Sequence, residues 1–186
     1  ELLGFALHRL RCVGFFQWER RGIWLLLAAL MPLGAAAQVA ATVEGVQTPA
    51  WVERDGKRTP LLPGMELKAG DQVVTGGGSR LVIKLSEGSL VKLGENGTLR
   101  FTELSAGREA FKAVLHVLQG AFRFTTDVAQ KARKREVSIG VSQVVAGIRG
   151  TDLWGRSTAQ EDLVCLIEGR IAVEHGGKEF AMAEPL

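Results

Sequence analysis

Tyrosine is absent from this 186-residue chain, and aromatic side chains make up only 6% of it. A core must therefore come mostly from aliphatic residues, which an apolar content of 46% can supply. Histidine and cysteine are scarce too: His8, His116 and His175, with Cys12 and Cys165. A zinc site needs three or four such ligands brought together, and these positions offer no ligand spacing. Cys165 lies in the apolar run Leu163-Val164-Cys165-Leu166-Ile167, where a lone thiol reads as a buried small hydrophobe and not as a nucleophile. Gly76-Gly77-Gly78 has no Lys-Ser/Thr after it at the spacing of a phosphate-cradling loop. Catalytic residues, cofactors and metals are all expected to be none. Repeats of fixed long period are also missing.

What is present begins with an export pattern. Arg20-Arg21 precede the apolar run IWLLLAALMPL at residues 23–33, and Gly34-Ala35-Ala36-Ala37-Gln38 follows. A basic region, a short apolar core and an Ala-x-Ala site read as a secretory signal peptide cut before Gln38. The alternative is an uncleaved anchor, because counting on to Ala41 brings the run near the lower limit of about 17 residues for a span. Residues 1–22 are long for a basic region, and part of them can lie upstream of the true start. Cys12 follows Leu10-Arg11 and precedes the apolar run, which argues against a lipoprotein. Residues 1–37 carry four arginines and two glutamates, so the 23 basic and 20 acidic residues fall to 19 and 18 without them. A net charge of +1 gives no reason to expect nucleic acid as a partner. With Cys12 gone, Cys165 has no intramolecular disulfide partner.

The rest reads as strands. Residues 70–101, GDQVVTGGGSRLVIKLSEGSLVKLGENGTLRF, pack short alternating runs between glycine-rich turns. Leu81, Ile83 and Leu85 fall on one face, with Arg80, Val82 and Lys84 on the other. Asp55-Gly56 and Asn96-Gly97 are the pairs best suited to tight antiparallel hairpins. Residues 108–118, REAFKAVLHVL, fit a helical face through Phe111, Leu115 and Leu118, and equally a strand face through Phe111, Ala113, Leu115 and Val117. A turn is expected at Gly169-Arg170.

The 70–101 stretch resembles the FecR domain family, whose members carry GD-x-V-x-T, apolar alternation and then DGS-x-V-x-LG-x-N-S. Three more segments are similar to family elements in the expected order. They are LQGAFRF at residues 118–124, VVAGIRGTDL at 144–153 and Ile167-Glu168-Gly169. Glu87, Gly97 and Leu153 depart from the family's usual Asp, Ser and Phe. The resemblance implies a strand over residues 108–118 and a non-enzymatic protein. The best-known members sit in the inner membrane, where an exported domain hears an outer-membrane transducer and a cytoplasmic segment handles a sigma factor. This chain reads as a stand-alone exported domain of that kind.

The expectation is thus an all-β fold with a signal-peptide region at residues 1–37 and one compact domain over 38–186. That domain is a sandwich-like β roll, with a small β-solenoid as the alternative. The expected function is a periplasmic module that binds a protein partner of the cell envelope in sensing or signal transduction. The alternatives are a structural or polysaccharide-associated envelope scaffold and, for testing only, an exported hydrolase. Arg149 and Asp152, three apart in Gly147-Ile148-Arg149-Gly150-Thr151-Asp152, are the candidate partner-binding residues. The competing reading pairs them as an ion pair pinning a backbone bend. Glu87 with Asp71, and Asp152 with Glu161-Asp162, read as turn carboxylates bonding local amides and not as acid–base pairs. Lys131-Ala132-Arg133-Lys134-Arg135 reads as a solvated loop, the sharper alternative being an anion-binding patch.

Overall fold

The computed structural model describes residues 38–107, 109–126, 134–141, 144–175 and 178–183. The expected signal peptide at 1–37 and Lys131 to Arg133 of the basic run lie outside the described residues. Thirteen strands and no helix occur among the described residues. In chain order they are β1 Ala41–Gln47, β2 Ala50–Arg54, β3 Lys57–Pro60, β4 Glu66–Leu67, β5 Gln72–Thr75, β6 Arg80–Leu85 and β7 Leu90–Leu93. Then come β8 Thr98–Ala106, β9 Ala110–Thr125, β10 Lys134–Val141, β11 Val144–Ser157, β12 Asp162–His175 and β13 Lys178–Met182. The ambiguous segment is a strand, because Phe111, Ala113, Leu115 and Val117 are buried at a period of two.

Pairing sorts these strands into two sheets that share their longest members. One runs β4-β1-β6-β7 and then the second half of β9, the second half of β11 and the first half of β12. The other runs β3-β2-β5-β8, the first half of β9, β10, the first half of β11, the second half of β12 and β13. One core lies between them, with Leu81, Ile83, Leu93, Phe122 and Phe124 from the first and Leu99, Phe101, Phe111, Leu115 and Ile139 from the second. Every pairing is antiparallel except β9 with β10, which runs parallel from Ala110↔Lys134 to Val117↔Val141. Such pairing makes a roll and not a solenoid, whose coils would stack in parallel.

The long strands pass between sheets where their burial phase slips by one residue. In β9 the buried positions are odd up to Val117 and even from Phe122. Gly120 lies between, with φ +93°. A Cβ on Gly120 would stand 2.6 Å from Gly97 Cα, so a side chain is excluded by backbone on one side and by φ on the other. In β11 the phase runs from Ala146 and Ile148 to Thr151 and Leu153, across a register irregularity between Arg149 and Asp152. In β12 it runs from Leu166 to Ile171 across Gly169, φ +95°. Residues 147–152 are thus the bend the sequence implies. Gly169-Arg170, in contrast, is an irregularity inside one continuous strand and not a turn.

The two expected hairpins part company. Asp55 and Gly56, at φ 50° and 73°, close β2 on β3 with Arg54 opposite Lys57. At Asn96-Gly97 only Asn96 has positive φ, and β7 and β8 do not pair. They lie one after the other along β9, Leu93 opposite Phe122 and Thr98 opposite Gln119. The turn there moves the chain from one sheet to the other. Thr75 Oγ1 anchors it, donating to Gly94 O at 2.6 Å and accepting from Gly97 N at 2.8 Å.

Candidate functional site

The bend of β11 meets the turn before β7, the end of β9 and the start of β10 in a buried polar cluster. Glu87, in the β6–β7 turn, accepts from Ser89 N at 3.3 Å and from Arg135 Nη1 at 3.4 Å. Arg135 Nη2 also reaches Thr126 Oγ1 at 3.2 Å, which accepts from Thr151 N. The Glu87 side chain is 6% exposed. Its Oε1, Ser89 Oγ and Thr151 Oγ1 are buried without hydrogen-bond partners. Segments 87–89 and 147–152 are tied through Arg135, forty-eight residues from Glu87, and Thr126, twenty-five residues from Thr151. Of the basic run, then, Arg135 is a cluster residue of β10 and not a loop cation, while Lys134 pairs with Glu136 at 3.2 Å.

Asp152 sits beside this corner, next to Thr151. Both its oxygens are held by Arg123, at 2.9 and 2.5 Å, and the hydrogen bonds raise the Arg123 guanidinium above its ordinary value. The ion pair Asp152 makes here is one across strands β9 and β11. The reason is register, since Asp152 stands opposite Thr125 and the long Arg123 side chain reaches it from the neighbouring rung. For Arg149 the backbone alone is described, opposite Arg170.

The remaining carboxylates act locally. Asp71 accepts two bonds from Arg54 at 2.7 Å each and one from Lys68 N at 2.7 Å, with its side chain 1% exposed. Bonding to Asp71 raises Arg54 above its ordinary value, against a smaller opposing effect of burial. Asp162 accepts from Ser157 Oγ at 2.7 Å, and Glu161 pairs with Arg156. Asp71 and Glu87 thus hold different turns and do not share a site. His116 lies against β10, where a Cβ on Gly140 would come within 2.5 Å of its Nδ1. No group of three or more metal-capable side chains occurs among the described residues.

One feature escaped the sequence reading. Residues 162–168 of β12 pair with β11 on one side, and β13 takes only Ile171 to His175 on the other. The remaining edge of residues 162–168 has no strand partner among the described residues. Leu163 and Ile167 are 40% and 41% exposed there, and Cys165 between them is half-buried, not buried. Five apolar residues in a row suggest a strand covered on both faces, so only the small covering area of the facing sheet could have revealed the difference.

These motifs decide the family. The model for FecR protein matches residues 71–172, more than half of the chain. The chain belongs to the FecR family. The FecR match begins at buried Asp71 and ends just past the β12 bend, so it spans both the corner cluster and the open edge. Among solved structures, two crystal structures of a proposed anti-sigma factor from Parabacteroides distasonis are similar, each at 13% identity. Their TM-scores are 0.48 and 0.49, with 60% of this chain covered. The chain spans half the length of that relative. A comparison with curated proteins gives no match.

Proposed function

We propose that this FecR-family protein is a non-enzymatic module of the cell envelope that works in sensing or signal transduction by binding a protein partner. The observation that carries the reading is the open edge of β12. An unpaired strand edge offers a row of backbone donors and acceptors that an extended segment of another chain can complete, and alternate side chains give the contact its specificity. Here Leu163 and Ile167 supply apolar anchors, bounded by Asp162 and Glu168. Charges at both ends discourage indiscriminate strand pairing while leaving the centre available. Family membership supports a signalling role, and the export pattern of residues 20–38 supports a periplasmic location, cleaved or membrane-anchored.

A site-specific photocrosslinker tests the edge in the native host. Placed at Ile167 it is expected to yield one discrete adduct, which the same group at exposed Thr102 does not give. Ile167→Lys, an exposed change that keeps the core, is expected to abolish capture by a crosslinker at Leu163. Equal adducts at Ile167 and Thr102, or undiminished capture by the lysine variant, would remove the edge from the account.

A further inference from the structure

The outer face of the first sheet carries a trough of about 1000 Å³ that the protein-docking edge does not use. Its shape follows from register. One rung across β6, β7, β9 and β11 reads Val82-Lys92-Arg123-Trp154. The next contains Arg80 on β6, then Gly94 and Ala121, joined by Gly94 N to Ala121 O at 2.8 Å, then Arg156. Glycine and alanine leave the floor of this second rung almost bare. Long side chains stand on either side of it, and the Gly78-Ser79 turn and Glu95 close one end.

The charges facing the trough are uneven. Arg123 is neutralised by Asp152 and Arg156 by Glu161, while Glu95 keeps its negative charge at the Gly78-Ser79 end, its carboxylate accepting from Gly78 N at 2.7 Å. Arg80 and Lys92 are exposed and have no carboxylate partner among the described residues. Trp154 is half-buried and, among the described residues that line the trough, is the ring that reaches solvent, Phe122 being buried beneath. A flat indole at one side of the trough, with two unneutralised cations across it on β6 and β7, suits a chain that presents C–H groups on a ring face and carboxylates further along. We infer that the trough binds a carboxylate-bearing sugar chain, with a pyranose laid on Trp154 and uronate groups at Lys92 and Arg80. Strands about 4.8 Å apart make four of them roughly 14 Å wide, room for two to three sugar units. A single-stranded nucleic acid would call for successive stacking rings, and a peptide helix for several apolar anchors, and neither is present. This binding is independent of the β12 edge.

Isothermal titration of the exported protein with hexagalacturonate tests the inference, with cellohexaose as the neutral chain of equal length and hexaglutamate as the polyanion without sugar rings. Hexagalacturonate is expected to bind, weakening as salt is raised, and each control to bind at least about tenfold more weakly. Lys92→Glu and Arg80→Glu, exposed changes, are expected to weaken it at least about tenfold with an unchanged urea midpoint. Trp154→Phe, which retains an apolar ring for packing, is expected to weaken hexagalacturonate while leaving the salt dependence intact. No binding at millimolar sugar, equal binding of hexaglutamate or of cellohexaose, or undiminished binding by the charge reversals would each overturn the proposal.

Discussion

Gly120→Ala puts the architecture to its hardest test with the smallest change. Gly120 stands at φ +93°, where a non-glycine residue costs on the order of 1–3 kcal/mol. The new Cβ would also lie 2.6 Å from Gly97 Cα and 3.2 Å from Gly97 N. Both are backbone atoms in a turn already held by Thr75, so no flexible side chain can yield, and overpacking adds about 1–3 kcal/mol. Alanine returns about 0.4–1 kcal/mol by stiffening the unfolded chain. The net expectation is a loss of about 1–5 kcal/mol, which at its upper end is a large share of the 5–15 kcal/mol typical of a domain. Urea unfolding followed by circular dichroism should show the midpoint falling by about 0.5–2.5 M if the slope is near 2 kcal/mol/M. Gly77→Ala is the control, since its nearest atom is Asn96 Oδ1 at 4.0 Å and its φ is not positive, and it should stay within about 0.5 kcal/mol of wild type. If Gly120→Ala melts with the Gly77 variant, the bend does not depend on the close approach of two backbones.

Two further outcomes follow from the ion pairs. A double-mutant cycle on Arg123 and Asp152 should give a small favourable coupling by urea unfolding, small because Arg123 is 46% exposed and water screens the pair. No coupling at all would remove this pair as the holder of the β11 bend. Asp71→Asn should cost about 2–3 kcal/mol in the same assay, because a buried acceptor of three bonds is replaced by a group that turns a donor toward Arg54 or Lys68 N. A loss below about 0.5 kcal/mol would mean that the Gly70-Asp71 turn stands without its carboxylate.

The sequence made legible whatever is decided within a few residues. Alternation over residues 80–93 gives β6 and β7, and Asp55-Gly56 gives a hairpin because both residues accept positive φ where the strands need that twist. Asn96-Gly97 carries the same local signal with a different outcome, since β9 offers β7 and β8 one continuous edge and tertiary pairing overrides the turn preference. Gly169-Arg170 misleads for a related reason, a glycine bend within a strand having the same composition as a turn between two. The bend at residues 147–152 was readable from its glycines. The partner of Asp152 was not, because Arg123 lies twenty-nine residues away and only strand register brings it near. The parallel pairing of β9 and β10 leaves no mark in either strand, since both are buried on one face whichever way the neighbour runs.

The two edges of β9 are filled at different times. As the chain emerges from its N-terminus, β7 and β8 are available as soon as β9 exists, and β8 needs only the short connection at residues 107–109 to pair with it. The opposite edge stays bare until β10 and β11 arrive, and its parallel pairing with β10 joins residues twenty-four apart, so the chain must first be carried back to the start of β9. Non-local closure of this kind is slow, and a long unpaired strand is the part of a nascent chain most ready to take the wrong neighbour. When β11 covers its share, the vacant edge passes to β11, and then to β12, where β13 fills only the far end. The finished protein retains the last position of an edge that moved outward as it folded.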